Sequence, residues 1–352
     1  MLKCLQAGRA FAALAVLAFH LSTALGDPRY GGHTVGSAYT RHGHFGVDFF
    51  FVLSGFIILK AHAADIGRPD RWRRFAWRRF ARIYPIYWIY LAGFCLLLAL
   101  GAGQVAQLPK GGLAWLSAFS LIRFSPDETP FVVAWSLFHE IAFYAVFSLL
   151  IFNRRLGVAA MAAWFVLCLP WRNEPWDVTF DWWRVYSSPF NLDFFAGMAA
   201  YGLYRRGRYP RLLLGLGAAV LVGAIVGAER GDQLASYLFG GGFTLTIAGA
   251  TIAETEGWLM VPSALVVLGA ASYSLYLVHV PLMGLWLKFA NVSGVAAAFP
   301  GWSRWTIVFA AVAGSAVLAW AFVEEPLQKF LRWGGRPRPA GAAPAAVLGR
   351  EA

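Results

Sequence analysis

The chain has 352 residues, of which 59% are hydrophobic and only 14% charged. Apolar runs of about twenty residues recur along its whole length, which excludes a soluble domain and indicates an integral membrane protein. The net charge of +12 is explained by basic loops between membrane spans, so we expect no nucleic-acid partner. We predict an all-α, multi-pass helix bundle with one transmembrane domain over residues 1–333 and a disordered tail, rich in Pro, Ala and Gly, over 334–352.

The first apolar run begins near Lys3 and contains Arg9 and His20. A charged start and the small residues 22–24 also suit a signal peptide. Because two ionisable residues interrupt the run and many spans follow, we interpret it as the first transmembrane helix. Ten spans are predicted in all: 4–25, 45–64, 83–103, 131–152, 156–170, 189–204, 212–228, 234–253, 264–287 and 303–323.

The positive loops predict the orientation of the chain. Arg and Lys crowd the loops after the second, fourth and sixth spans and the tail, which all lie on one side of a ten-span bundle. The positive-inside rule makes that side, and both termini, cytoplasmic. Three shorter segments do not cross: 113–122 is re-entrant or interfacial, 68–84 lies on the inner membrane face, and the tryptophan-rich loop 171–187 forms an outer belt.

Arg9 and His20 lie eleven residues apart in the first span. Three helical turns separate them, so they share one face and are about 16 Å apart along the helix axis. A neutral imidazole is the most usable base near pH 7, which makes His20 a candidate catalytic residue. Alternatively, a histidine near a helix end only hydrogen-bonds a neighbouring backbone group.

Asp48 opens the second span within the run Gly46-Val47-Asp48-Phe49-Phe50-Phe51. A carboxylate at membrane depth costs roughly 2.5–3.5 kcal/mol on insertion scales, so a function is expected. Asp48 is predicted to orient His20 and to set its tautomer, as a carboxylate does for a catalytic imidazole. It also suits the N-terminus of a helix, and the two roles are compatible.

Ser136, Glu140 and Tyr144 follow one another at intervals of four residues and therefore line one helix face. A buried glutamate flanked by hydroxyls indicates a polar cavity, although the same groups also hold helices together. The pair His139-Glu140 lacks the second histidine that a zinc motif needs.

Ser272, Tyr276 and His279 lie on one stripe of the ninth span, and we predict that they line the same cavity. Contacts between helices are again the alternative. His33, His42 and His44 in the first outer loop are more simply incidental histidines than ligands, so we predict no metal site.

The basic loop ends in Arg78, Arg79 and Arg82, followed by Tyr84 at the start of the third span. Clustered arginines beside aromatic rings suit a phosphorylated ligand with a flat base. We predict that these four residues bind such a donor. Topology alone, or anionic lipid, explains the same charges.

Six segments together make the chain resemble the acyltransferase-3 family of bacterial integral membrane O-acyltransferases. They occur in family order and cover nearly the whole sequence: Arg9 to His20, Gly46 to Phe56, Arg78 to Pro85, Trp135 to Tyr144, Ser272 to His279, and Glu325-Pro326. The resemblance implies an acyl donor, typically acetyl-CoA, and a carbohydrate acceptor outside the cytoplasm. It also implies that Arg9 and His20 are the essential pair.

The expected function is therefore O-acetylation of an exopolysaccharide, O-antigen or similar glycan at the bacterial inner membrane. Acetyl-CoA is a co-substrate, and no bound cofactor is expected. His20 either removes the proton of the acceptor hydroxyl or carries the acetyl group itself. Some family members have an additional soluble domain, so this chain is expected to act without one or with a periplasmic partner. The alternative is a transporter or flippase that uses the same charges as a proton relay.

Overall fold

A computed structural model describes residues 2–32, 34–101, 108–124, 129–169, 184–232 and 234–333, and all regular structure in these ranges is helical. His33, the four tryptophans of the predicted outer belt and the tail 334–352 lie outside the described residues. The helices in the first half are α1 (Lys3–Leu25), α2 (Ser37–Thr40), α3 (Gly46–His62), α4 (Trp72–Ala99), α5 (Gly112–Ser120), α6 (Trp135–Phe152), α7 (Arg154–Cys168) and α8 (Arg184–Ser187). Those in the second half are α9 (Leu192–Arg206), α10 (Pro210–Glu229), α11 (Ala235–Thr255), α12 (Ser263–Ala270), α13 (Ser272–Val292), α14 (Val295–Ala298), α15 (Trp302–Ala319) and α16 (Glu325–Trp333).

Eight helical segments in the described ranges are long and apolar enough to cross a membrane, which confirms a multi-pass, all-α membrane bundle. They contain α1, α3, α4, α6, α10, α11, α13 and α15. The predicted fifth and sixth spans coincide with α7 and α9, which have 15 residues each. A straight crossing needs about 20 residues. That these two helices also cross the bilayer stays a prediction.

Three predicted segments differ from the observed helices. The segment 68–84, predicted to lie on the membrane surface, is largely the first half of α4, whose 28 residues extend without a break to Ala99. At 1.5 Å per residue α4 is about 42 Å long, so its basic first turns extend beyond the hydrocarbon layer. The predicted ninth span is interrupted at Ala271, between α12 and α13. The last span continues from α15 through a π-helical turn, Trp320–Glu324, into α16.

Helix α1 lies at the centre of the bundle, where it packs against α3, α11, α12, α13 and α15. Its approach to α12 is so close that a Cβ atom on Gly269 would lie 2.0 Å from the carbonyl oxygen of Gln6. The two backbones can therefore touch only because residue 269 has no side chain. A central α1 places both Arg9 and His20 inside the protein.

The first turn of α1 is held by a side chain from α11. Glu254 accepts hydrogen bonds from the backbone N–H groups of Lys3 and Cys4, each at 2.8 Å. These N–H groups belong to the first turn of the helix, where no intrahelical acceptor exists, and a carboxylate there also suits the helix dipole. Glu254 therefore sets the position of the helix that carries Arg9 and His20.

Replacing Glu254 with alanine is expected to destabilise the protein by about 1–2 kcal/mol, because two helix N–H groups lose their acceptor. The measurement is the midpoint of thermal unfolding in detergent. Glu256→Ala is the matched control, since the exposed Glu256 carboxylate accepts a hydrogen bond from the neighbouring Trp258 indole. Equal unfolding midpoints for the two variants would contradict the capping role.

The basic loops meet at one end of the bundle. Near the end of α3, the Lys60 ammonium lies 4.6 Å from the ring centre of Tyr204 on α9. The loop after α3 approaches the end of α6, where the Gly67 N–H donates to the Leu150 carbonyl at 2.9 Å. This arrangement matches the predicted clustering of positive loops, from which the positive-inside rule predicts that the basic end is cytoplasmic. The orientation of the termini stays a prediction.

Helix α5 enters the protein without crossing it. The side chains of Tyr84, Tyr87 and Trp88 donate hydrogen bonds of 2.6, 2.7 and 2.9 Å to the last three carbonyls of α5, residues 118–120. The end of α5 therefore reaches the middle of α4, which favours the re-entrant alternative over an interfacial one. The Tyr84 hydroxyl therefore anchors the end of α5, and a role of Tyr84 in binding the acyl donor stays a prediction.

Candidate active site

Arg9 lies at the centre of a polar cluster near the basic end. Its Nε–H donates to the Ser272 hydroxyl on α13 at 2.9 Å. Its terminal nitrogens have no hydrogen-bond partner among the described residues. Arg9 also lies within electrostatic range of Arg82, Glu324 and Glu140. A guanidinium with free N–H groups in such a place is suited to bind an anion.

Arg82 forms an ion pair with Glu324, with Nη1 and Oε1 separated by 3.1 Å. The Glu324 carboxylate also accepts hydrogen bonds from the Ser274 N–H and hydroxyl at 3.1 and 2.6 Å and from Gln328 at 2.8 Å. Its side chain is only 1% exposed. The guanidinium of Arg82 also lies 5.3 Å from the ring centre of Tyr273. Glu324 thereby fixes the direction of Arg82.

Glu324 was missed as a site residue, because the predicted last span ended at residue 323. A signal was present: a glutamate directly after an apolar run, beside Glu325-Pro326, is an ionisable residue at membrane depth. The structure places Glu324 in the π-helical turn that ends the span and turns Glu325 outward to Lys329, 3.0 Å away. A π-helical turn at a functional site is a common arrangement.

Removing the Glu324 carboxylate is expected to leave Arg82 unpaired in a partly buried site. We expect Glu324→Met to destabilise the protein by about 3 kcal/mol, the lower end for breaking a buried pair. The double variant Arg82→Met/Glu324→Met is expected to recover most of that loss, because no unpaired charge remains. Thermal unfolding of the two single variants and the double variant measures the coupling, and simply additive losses would contradict it.

Glu140 is the second acid of the cluster. It accepts hydrogen bonds from the Tyr144 hydroxyl, one turn further along α6, and from the Ser54 hydroxyl on α3 at 3.3 Å. Arg79 lies over the Tyr144 ring, with its guanidinium carbon 5.6 Å from the ring centre. The predicted helix face of Glu140 and Tyr144 therefore points toward the arginines.

The cluster thus contains three guanidinium groups, from Arg9, Arg79 and Arg82, and the two carboxylates described above. Its net charge is therefore +1 before any ligand binds. Arg78, predicted to act with them, is exposed at the surface of the basic end. Its electrostatic neighbours are Arg74, Arg79 and Asp65. Arg78 therefore lies at the mouth of the cluster rather than in it.

His20 lies toward the opposite end of α1 and contacts a second histidine. Its Nδ1 atom is 2.9 Å from the Val16 carbonyl and 3.3 Å from Nε2 of His279. Since a carbonyl only accepts hydrogen bonds, Nδ1 of neutral His20 must carry the proton. The Nε2 atom of His20 then carries the free lone pair, and it has no partner in the described part of the chain. Such a nitrogen can serve as a base or a nucleophile.

Ser136 and Tyr276 connect this histidine pair to α6. The two hydroxyls lie 2.7 Å apart, and both approach the Val133 carbonyl at 3.2 Å. Each residue of the predicted stripe on α13 therefore makes a polar contact with another helix. Ser272 contacts Arg9, Tyr276 contacts Ser136, and His279 contacts His20. Polar side chains follow α1 from one cluster to the other.

Asp48 does not orient His20, and that expectation is wrong. The Asp48 carboxyl lies beside the carboxyl of Asp193 on α9, and the two groups interact directly. Its neighbour Asp193 lies against α11, where a Cβ atom on Gly240 would be 2.2 Å from Oδ1. The Nδ1 atom of His20 instead faces the Val16 carbonyl and His279 Nε2. Asp193 lies far from Asp48 in sequence, so no local pattern pairs them.

Two adjacent carboxyl groups can form a hydrogen bond with each other only if one of them carries a proton. Asp48→Asn is therefore expected to keep the contact and the stability, since an amide donates without a titrating proton. Asp48→Leu is expected to lose about 1–3 kcal/mol, because Asp193 is left buried without its partner. Unfolding midpoints in detergent measure both, and a stable leucine variant would show that the pair contributes nothing.

The outer histidines do not converge with each other on a common point. His42 Nε2 lies 2.6 Å from Glu229 at the end of α10, and His44 Nδ1 lies 2.7 Å from the Arg41 carbonyl. On α6, His139 Nδ1 lies 2.9 Å from the Asn191 side-chain oxygen. Each of these three imidazoles thus has a structural partner.

The multi-pass membrane bundle thus holds an arginine cluster near one end and, nearer the other, an imidazole whose Nε2 is unpartnered within the described ranges, and together these form the candidate active site. The family model described as an acyltransferase domain matches residues 2–324, so the chain belongs to the acyltransferase-3 family and is a membrane acyltransferase. No solved structure matches the chain.

Two relatives illustrate the family. The exopolysaccharide production protein ExoZ of Rhizobium meliloti (strain 1021) is 29% identical, over 81% of this chain and 89% of the relative. The acyltransferase MdmB of Streptomyces mycarofaciens is also 29% identical, over 96% of this chain and 93% of the relative. The family resemblance predicted from the sequence motifs is confirmed.

Proposed function

We propose that the protein is an O-acetyltransferase of the bacterial cytoplasmic membrane, which transfers acetyl from cytoplasmic acetyl-CoA to a hydroxyl of a cell-surface glycan. The arginine cluster near the basic end supports a phosphorylated donor that enters from the cytoplasm. A relative named for exopolysaccharide production supports a glycan acceptor. The acceptor, free or lipid-linked, enters from the opposite side.

The spacing of Arg9 and His20 along α1 carries this proposal. Eleven residues at 1.5 Å per residue separate the two side chains by about 16 Å. The arm that joins the diphosphate of CoA to its sulfur has about thirteen bonds, and at the rise of an extended polypeptide, about 1.2 Å per bond, it spans about 15 Å. A diphosphate held at Arg9 therefore places the thioester beside His20.

Different arginines bind different phosphate groups of the donor. Arg9 and Arg79 face the diphosphate, and Arg82 faces the same region while it is held by Glu324. Arg78, exposed at the mouth of the cluster, meets the remaining phosphate on the ribose of CoA. Guanidinium groups suit this task because they bind phosphate oxygens in pairs.

His20 acts as the general base. Its free Nε2 takes the proton of the acceptor hydroxyl while the hydroxyl oxygen attacks the thioester carbonyl carbon. The carbon–sulfur bond then breaks, and the leaving CoA thiolate takes the proton back from Nε2. An acetyl group carried on His20 itself would use the same nitrogen as a nucleophile. Ser136 and Tyr276 line the acceptor side, whereas Glu140 lies in the arginine cluster on the donor side.

The test is mass analysis of surface glycans from cells with the wild-type protein, the His20→Ala variant or no protein. We expect an acetyl group on the glycan only with the wild type. Purified protein in vesicles should also release CoA from acetyl-CoA when the glycan is supplied. Movement of glycan across the vesicle membrane without release of CoA would support the transporter alternative and overturn the proposal.

A further inference from the structure

We propose that His279 is the positioning residue that holds His20 in its reactive tautomer, which is the task expected of Asp48. This inference rests on the proposed function only in that His20 is the reacting base. The observation behind it is the contact between the two imidazoles, with His279 Nε2 and His20 Nδ1 3.3 Å apart. The ring centres lie 5.0 Å apart.

The direction of this hydrogen bond follows from the other contacts of His279. Its Nδ1 atom lies 2.8 Å from the Tyr276 carbonyl, which only accepts, so the proton of neutral His279 is on Nδ1. The Nε2 atom of His279 is then an acceptor. It faces Nδ1 of His20, which must be the donor. The contacts of the two rings are thus consistent with one proton arrangement, in which His20 Nδ1–H donates to His279 Nε2.

A shared proton explains why two acceptors surround Nδ1 of His20. The Val16 carbonyl lies one turn back on the same helix and accepts at 2.9 Å, as any histidine in that rotamer allows. Because Val16 and His20 are on the same helix, that contact does not fix the His20 ring relative to the other helices. His279 comes from α13 and is only 1% exposed, so it fixes the ring relative to the rest of the bundle.

The arrangement also serves the imidazolium that forms during transfer. When Nε2 of His20 takes the acceptor proton, the positive charge spreads to Nδ1–H, which points at the lone pair of His279. A neutral acceptor there stabilises the charge without adding a carboxylate to the membrane interior, where an ionised group is costly. Among the described residues, His44 also lies within electrostatic range of His20, and its Nδ1 faces the Arg41 carbonyl.

The experiment compares His279→Gln with His279→Leu. Glutamine places an amide oxygen where Nε2 lies and keeps an acceptor, whereas leucine has a similar volume and no acceptor. We expect kcat to fall about tenfold to a hundredfold in the leucine variant, by analogy with histidines that lose their supporting hydrogen-bond partner in metal sites. We expect KM for acetyl-CoA to be unchanged and the glutamine variant to recover most of the rate.

A second measurement does not depend on transfer activity. Solid-state nitrogen NMR of histidine-labelled protein distinguishes the two neutral tautomers, and the His20 signal is assigned by its loss in His20→Ala. We expect Nδ1–H alone in the wild type and the glutamine variant, and a mixture in the leucine variant. The proposal is overturned if the leucine variant keeps a single tautomer and the wild-type rate, or if glutamine rescues neither. Absence of transfer in the wild type, with the tautomers as expected, would overturn the proposed function and leave this inference standing.

Discussion

The rate of acetyl transfer by the His20→Ala variant is expected to fall by about a hundredfold to ten-thousandfold, because a positioned general base typically accelerates a reaction by that factor. The variant keeps its acetyl-CoA site, because Arg9 and the other arginines lie three helical turns away. We therefore expect a large fall in kcat with little change in the affinity for CoA. The measurement is release of CoA by purified protein in vesicles with acetyl-CoA and the glycan acceptor.

His42→Ala is the matched control for this variant. His42 is also an outer histidine, but its imidazole pairs with Glu229 on the surface of the bundle. We expect its activity to remain within about twofold of wild type, as is usual for surface substitutions. Unfolding midpoints of both variants show whether the fold is retained. Normal transfer by a folded His20→Ala variant would refute the assignment of the base.

Replacing Arg9 with methionine is expected to weaken the binding of CoA by roughly tenfold to a hundredfold. A hydrogen bond to a charged group contributes about 1.5–3 kcal/mol, which corresponds to that change in dissociation constant. Methionine keeps the length and apolar stem of the side chain, so α1 can remain packed against α13. The measurement is the dissociation constant of CoA for the purified variant.

Two further variants distinguish a defined CoA site at Arg9 from an effect of the overall positive charge. Arg9→Lys keeps the charge and loses the paired N–H groups, so we expect an intermediate affinity. Arg155→Gln removes an exposed positive charge from the basic end, outside the cluster, and is expected to leave the affinity unchanged. Equal losses in Arg9→Met and Arg155→Gln would mean that CoA responds to the overall positive charge and not to a defined site.

The arrangement of charges explains how a membrane protein can hold so many ionised groups. Each charge inside a bilayer is costly unless it is paired or lines a wet space. Arg82 is paired with Glu324, and Glu140 receives two hydroxyl hydrogen bonds. Arg9 has only Ser272 as a hydrogen-bond partner in the described chain. The cluster therefore keeps N–H donors of Arg9 available where we propose that the phosphates of the donor bind.

The sequence alone was sufficient to predict the class of the fold and to select Arg9 and His20 on α1 as candidate site residues. Runs of apolar residues of membrane length can form only helices in a bilayer, because every backbone group must be paired within the segment. An ionisable residue in such a run stands out for the same reason. Arg9, His20, Glu140 and the stripe on α13 could therefore be selected from local spacing, which is fixed by helix geometry.

The pairings between distant helices were decided only by the tertiary structure. Asp48 was expected beside His20 because both lie near the same end of neighbouring helices, but the rotation of α3 turns its carboxyl to Asp193. His279 reaches His20 across 259 positions, a contact that depends on how α13 packs against α1. Helical periodicity determines which residues share a face, whereas the facing partner depends on the packing of helices far apart in the chain, which no local pattern contains.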